Sequence, residues 1–421
     1  MTVGPMNDLN APETADDAGA QGPLAGLRVV ELGQLIAGPF CGQLLGDMGA
    51  EVVKLEQPGD GDPMRHWGQG STPTWWRVIA RNKYSVAADL RSEAGQALAR
   101  ELIERADILV ENFRPGTLER WNLSPDRLRA ANPGLIIVRV SGYGQTGPYS
   151  TRAGFGGIAE AMGGWRKIVG YPDRAPARMG ISIGDTLAAT YGCLGALAAL
   201  HHREKTGQGQ IVDAALYESV LQVMEGLIPE WAVAGHKRGR TGSTLPRIAP
   251  SNVYLCKDGE YLIGANQDSV FSRLCTAIGR PELASDPRYA THVARGDHQE
   301  QLDAIIEEWT FAHTVDEVEA LMIAHAVPAG RMFDAEDMLG DPHFAAREAI
   351  VTVDDPVLGP TPMQGVFPKL SATPSRVRRP APRDVGQDTR EVLQRWLGRE
   401  VSDEIVRPTS AQPRRELPVQ D

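Results

Sequence analysis

Three groups of residues in this chain have types and spacings that support chemistry. The first is Gly184-Asp185-Thr186, which follows Ile181-Ser182-Ile183 and opens an Ala-rich stretch. An aspartate there fits two roles. It can cap a helix, a position that Asp favours. It can also act as a carboxylate nucleophile on an activated carbonyl, giving a covalent intermediate. Gly184 leaves access for a bulky substrate, and nearby backbone N–H groups can stabilise an oxyanion.

The second group is Gly142-Tyr143-Gly144-Gln145-Thr146-Gly147, a G-x-G-x-x-G run behind a strand-like segment. A dinucleotide fingerprint needs a helix N-terminus directly after it to hold the pyrophosphate. Here Pro148-Tyr149-Ser150-Thr151-Arg152-Ala153-Gly154 follows, which is poor helix material. The loop also comes after several β-α units rather than the first. This argues against a nicotinamide or flavin and for a loop whose backbone, at Gly142 and Gly144, lets another ligand approach closely.

The third group is basic. Arg91, Arg114, Arg120 and Arg152 all follow predicted strands. Any one of them reads as a solvated surface arginine. Several on one sheet edge point to a phosphate-bearing ligand. His66, His201, His202 and His236 are scattered without a triad arrangement, and no G-x-S-x-G elbow is present.

These residues need elements to position them. Residues 27–32, 51–56, 84–90, 107–113, 134–140 and 211–216 read as strands. Helical patterns fall between them, including 92–106 and an Ala-, Gly- and Leu-rich helix over 187–204. Strands alternating with helices imply a doubly wound parallel α/β sheet, on which ligands sit at the carboxyl ends of the strands. Ser124 before Pro125 marks a helix start, and 218–231 reads as one helix. Beyond it, residues 252–256 and 260–263 flank Lys257-Asp258-Gly259, a hairpin signal. Helical patterns fill 271–278, 299–311 and 315–326, the last with Thr314 and Glu317 as a capping box. Residues 359–371 read as a loop and short strand, and 387–396 as a helix. The expected organisation is a disordered leader (1–22), a large α/β domain (23–224 with 336–405), a small domain (225–335) and a disordered tail (406–421).

The chain has 421 residues, 42% hydrophobic and 23% charged, with net charge −11. That is globular composition. Net acidity disfavours nucleic acid and anionic membrane as partners, though it leaves a small anion open. No apolar run of about 18 residues is evident, so no membrane span is expected. Cys41, Cys193, Cys256 and Cys275 form no CxxC and no zinc spacing, which fits reduced thiols in a cytoplasmic protein. No metal site is expected.

The motifs converge on a family. The chain resembles the class III CoA-transferases, the family that includes formyl-CoA transferase, carnitine CoA-transferase and α-methylacyl-CoA racemase. The resemblance lies in Pro23-Leu24-Ala25-Gly26-Leu27-Arg28-Val29, Gly49-Ala50-Glu51-Val52-Val53-Lys54-Leu55-Glu56 and Ala106-Asp107-Ile108-Leu109-Val110-Glu111-Asn112-Phe113-Arg114-Pro115-Gly116. It continues through Ser141-Gly142-Tyr143-Gly144-Gln145-Thr146-Gly147-Pro148, Gly184-Asp185 and His202-Arg203-Glu204-Lys205-Thr206-Gly207-Gln208-Gly209-Gln210.

The resemblance implies a Rossmann-like large domain made from both chain ends, a smaller α+β domain, and an interlocked homodimer. It implies a CoA-transferase moving CoA from an acyl-CoA, such as succinyl-CoA, to a carboxylic acid, with no prosthetic group. Asp185 falls on the family's catalytic aspartate, which forms aspartyl-CoA intermediates. Asn112, Phe113, Arg114 and Arg120 match CoA-contacting positions, joined by Arg91 and Arg152. Gln57 stands where some members carry an arginine, which leaves one CoA phosphate contact without its family counterpart. The segment Arg240-Thr241-Gly242-Ser243-Thr244-Leu245-Pro246-Arg247 is similar to a loop of members that handle dicarboxylates. Arg247 there either pairs with a second carboxylate or is structural. The alternative activity in the family is acyl-CoA racemisation or epimerisation. The racemase branch carries a His-Asp pair after an Ala-Gly, whereas Ala153-Gly154 is followed here by Phe155-Gly156. This favours transfer.

Overall fold

A computed structural model describes residues 22–68 and 73–399. The expected tail (406–421) and all of the expected leader except Gly22 lie outside the described residues.

The chain forms two compact units. The larger takes the described residues up to Gly163, then Ile181–Met224, and those from Ala345 onward. Its core is six parallel strands: β1 (Arg28–Glu31), β2 (Glu51–Glu56), β3 (Lys83–Ala87), β4 (Ile108–Glu111), β5 (Ile136–Ser141) and β6 (Ile211–Ala215). Their order is β3-β2-β1-β4-β5-β6. The order reverses between β1 and β4, so the topological switch point, where such sheets bind ligands, lies between those strands' carboxyl ends. Between the strands run α1 (Ala37–Asp47), α2 (Thr74–Ile79), α3 (Glu93–Ile103), α4 (Thr117–Arg120), α5 (Pro125–Ala131) and α6 (Gly156–Met162). Ser92 and Ser124 cap α3 and α5 through their hydroxyls.

The strands are apolar on both faces, as a sheet covered on both sides requires. Val29, Val52, Val110, Ile136 and Val138 join one core layer, and Val30, Val53, Leu109 and Ile137 join the other. The next helix, α7 (Trp165–Ile168), belongs to the smaller unit. It is followed by α8 (Ile183–Thr206), which returns to the larger one. Contrary to the sequence expectation, α8 is long and apolar enough to cross a membrane by length and composition. In this structure Ala188, Ala189, Gly192, Ala196 and Ala199 are buried in the first layer. A β-carbon built on Gly195 would lie 2.4 Å from Val212 Cγ1. Small residues thus let α8 lie close on β5 and β6 as a core helix.

The helix expected over 218–231 is broken. α9 (Leu216–Gln222) ends at Val223, Glu225 turns with a left-handed backbone, and a second helix starts at Leu227. The units divide there. The smaller unit holds Glu225–Phe344 and also Gly164–Gly180, which the sequence reading places in the large domain. Arg240 ties the extra segment in, donating to the carbonyls of Tyr171, Pro172 and Arg174. Its sheet is β7 (Ser251–Leu255), β8 (Glu260–Gly264) and β9 (Ala329–Arg331), all antiparallel neighbours. The Lys257–Gly259 hairpin and the Thr314–Glu317 capping box form as expected. Back in the larger unit, β10 (Ile350–Asp355) pairs antiparallel with β11 (Gly359–Gln364). The sequence reading leaves β10 unassigned.

Candidate active site

Asp185 lies in the first turn of α8. The residue at the N-cap is Ser182, so Asp185 does not hold the capping position. It is half-buried, and its carboxylate sits on the backbone of Gly156, the first residue of α6. A β-carbon built on Gly156 would lie 2.2 Å from Asp185 Oδ2 and 2.9 Å from Cγ. Only glycine leaves the carboxylate room there. Gly184 makes a similar approach, its β-carbon position lying 3.0 Å from the Gly156 carbonyl oxygen. The positive end of the 24-residue α8 dipole is a favourable place for negative charge.

The glycine loop reaches the same place through a second backbone contact. A β-carbon on Gly142 would lie 3.0 Å from Gly154 Cα, two residues before Gly156. Gly144 has φ of 85°, the left-handed region. Beside it Gln145 N–H donates to Asp213 Oδ2 at 2.9 Å, anchoring the loop to β6. Arg152 stacks its guanidinium on Tyr149 at 3.5 Å, and Tyr149 meets Tyr143 edge-on at 6.1 Å. Loop and aspartate therefore form one site, built by glycine-to-backbone contacts from β5 to α6 to α8.

The other candidates follow β3 and β4. Asn112 lies at the switch point and spends its amide on the β1–α1 loop: Oδ1 accepts Gln34 N–H at 2.8 Å, and Nδ2 donates to Gln34 O at 2.9 Å. Phe113 packs edge-on against Trp121 at 4.9 Å. Arg114 and Arg91 are exposed and form no ion pair among the described residues, which leaves both guanidiniums available to an anion. Arg120, exposed on α4, donates to Thr117 Oγ1 at 2.8 Å. Arg91 stands after β3, at the sheet's edge, two strands from β1. Arg247 is not in this unit. It lies in the smaller one, with its exposed guanidinium paired to Asp297 at 2.7 Å.

Sequence reasoning missed the charged residues buried under this edge. Glu31, Lys54, Glu56, Asp62, Lys83, Glu111 and Arg139 are all buried. Adjacent strands place Glu31 opposite Lys54 and Glu111 opposite Arg139. Lys54 Nζ lies 2.8 Å from Glu31 and 2.8 Å from Asp62. Burial opposes the Lys54 charge, but the carboxylates of Asp62, Glu31 and Glu56 outweigh it and raise its pKa. Burial pushes the Glu111 carboxyl up to about 7, against the pull of Arg139 at 2.7 Å. Glu111 also accepts the Phe113 N–H at 2.7 Å, fixing the start of the Asn112–Arg114 turn. The available signal was a lone charge inside each apolar strand, as in Val53-Lys54-Leu55 and Val138-Arg139-Val140.

Comparisons with known proteins bear on the family and the fold. The sequence profile of CoA-transferase family III matches residues 24–389. The chain is 56% identical over 381 residues to a succinyl-CoA–D-citramalate CoA-transferase of Chloroflexus aurantiacus, covering 89% of this chain and 94% of that protein. It is 44% identical over 384 residues to the beta subunit of a succinyl-CoA–L-malate CoA-transferase of the same organism, covering 89% and 94%. A CAIB/BAIF family protein from Brucella suis superposes with a TM-score of 0.79 at 33% identity, covering 89% of this chain and all of that one. With a profile match over most of its length and these relatives, the chain belongs to CoA-transferase family III and is a CoA-transferase.

Proposed function

We propose that this enzyme transfers CoA from succinyl-CoA to a hydroxylated dicarboxylic acid of the citramalate or malate type, with Asp185 as nucleophile. The observation that carries the nucleophile assignment is the Asp185 carboxylate seated on Gly156 at the N-terminal turn of α8. The substrates rest on the relatives named above.

Asp185 attacks the donor thioester carbonyl, giving a succinyl–aspartyl anhydride and CoA thiolate. The thiolate attacks the aspartyl carbonyl, releasing succinate and leaving aspartyl-CoA. The acceptor carboxylate attacks that thioester, forming a new anhydride and freeing the thiolate. The thiolate then attacks the acceptor's carbonyl, so acceptor-CoA leaves and Asp185 is restored. Arg91, Arg114 and Arg120 hold the CoA phosphates, and the Gly142–Gly144 backbone lies against the thioester. Phe155 occupies the place of the racemase branch's histidine, so no imidazole stands there to take an α-proton.

Two copies form a homodimer. This is supported by large exposed apolar side chains such as Leu194 on α8, and Trp231 and Val233 in the smaller unit. The four cysteines are free and buried, which supports a reducing, cytoplasmic location.

The test is incubation with succinyl-CoA and a panel of acids, with new thioesters read by mass spectrometry. D-Citramalate or L-malate is expected to give a new thioester, and hydroxylamine during turnover to modify Asp185. No new thioester with any acid would overturn the reading, and solvent deuterium entering the substrate α-carbon without an acceptor would replace it with racemisation.

A further inference from the structure

Buried ion pairs seldom add net stability over apolar packing of the same volume. The bonds that the cluster under β1–β3 makes outside itself are therefore informative. Lys54 Nζ meets Glu31 and Asp62 and gives its remaining bond to the Gly33 carbonyl at 2.7 Å. Asp62 Oδ1 accepts the Leu35 N–H at 3.1 Å and the Met64 N–H at 2.9 Å. Lys83, paired with Glu31 at 2.8 Å, donates to the Pro39 carbonyl at 2.6 Å. Asn112 holds both backbone groups of Gln34. Thus Gly33, Gln34 and Leu35, three consecutive residues at the switch point, are each gripped by a side chain from β2, the segment after it, or the residue that follows β4.

The gripped segment is strained. Leu35 has φ of 62°, a left-handed conformation costly for a branched side chain. Such strain persists only where the surroundings over-determine it, and it concentrates at ligand clamps.

We propose that residues 33–36, which stand at the switch point where such sheets bind ligands, line the CoA site, and that Asp62, backed by Lys54, is a positioning residue that holds them in shape before CoA arrives. The inference rests on the CoA-binding reading above. Asp62 touches no substrate; it acts through the Leu35 backbone. A loop fixed in advance spares the ordering cost on binding, so the contribution falls on CoA affinity rather than on the acceptor acid.

Two measurements test this. In wild-type enzyme, hydrogen exchange at the Leu35 amide is expected to be protected without ligand and to change less than about twofold on saturation with CoA. An unprotected Leu35 amide in the free enzyme overturns the proposal, whatever the variants do. In Asp62→Ala, the CoA Kd from calorimetry is expected to rise about tenfold, the value of a lost hydrogen bond to a charged group, with the acceptor KM unchanged within about twofold. Asp62→Asn keeps an acceptor for the Leu35 N–H and is expected to retain CoA affinity within about threefold. A folded Asp62→Ala enzyme that binds CoA like wild type overturns the proposal. Wild-type enzyme that binds no CoA overturns instead the functional reading beneath it.

Discussion

Two loops frame the carboxyl edge of the sheet, and they are held by opposite means. Residues 33–36 after β1 are short and pinned by buried Lys54 and Asp62 together with Asn112. The loop after β5 is longer, exposed from Thr146 to Tyr149, and rests on the Gly142–Gly154 contact and the Gln145–Asp213 bond. In the first loop charge fixes a shape that the backbone alone would not keep. In the second, absent side chains let main chain meet main chain. The difference teaches that one edge can combine a rigid support with a closely fitting, adaptable wall. Asp185, the proposed nucleophile, stands beside the second loop.

The largest effect expected is at that carboxylate. Asp185→Asn removes the proposed nucleophile and should lower kcat on the order of 10⁴-fold, with CoA binding retained because both loops are intact. Full transferase turnover in this variant would sink the assignment. Gly156→Ala comes next. Its methyl would sit 2.2 Å from Asp185 Oδ2 and must displace the carboxylate. A misplacement of about 1 Å costs about 100-fold in rate, so kcat should fall by that order while CoA affinity holds. Loss of CoA binding with kcat intact would show that Gly156 serves the ligand and not Asp185.

A pair of glycine substitutions compares the two kinds of support. Gly42 in α1 faces the charge cluster, and its β-carbon would lie 1.9 Å from Glu31 Oε2. No neighbour can yield without breaking a buried ion pair. Gly42→Ala should therefore destabilise by about 3 kcal/mol, at the upper end of overpacking costs. Gly142→Ala meets Gly154 Cα at 3.0 Å, a less severe approach; about 1 kcal/mol is expected. Urea unfolding of both variants gives the comparison. Equal losses would mean that the charge cluster and the glycine contact yield equally.

The sheet was legible because each strand is an apolar, β-branched run separated from the next by helix-length spacing. The 142–147 loop and Asp185 were legible because glycines and a lone acid stand out beside apolar runs. The grip on residues 33–36 was not. Lys54, Asp62 and Asn112 lie 21, 27 and 78 residues from the backbone groups they hold, and reach them only because β1 lies between β2 and β4. The transfer of residues 164–180 to the smaller unit was hidden for a similar reason: Arg240, which holds that segment, is 66 to 69 residues further along. The break in the helix expected over 218–231 follows from Glu225 and Gly226, a boundary that hydrophobic periodicity alone does not mark.

The last expected effect is a dependence on pH, and it concerns the pairing that supports the Asn112 turn. Burial raises Glu111 from 4.5 to about 7, with Arg139 opposing. Between those values the native state holds a proton that the unfolded chain has released. Stability from this group is therefore fully present below about pH 4.5 and is lost as pH rises through about 7. Glu111→Gln carries no such proton. Wild-type stability measured against this variant should decline across that window by on the order of 1 kcal/mol per pH unit. The difference between their urea midpoints, followed from pH 4.5 to 8, reads it out. Parallel curves would show that Glu111 stays ionised beside Arg139 in the native state, and that the Asn112 turn, like the loop it clasps, is held by charge.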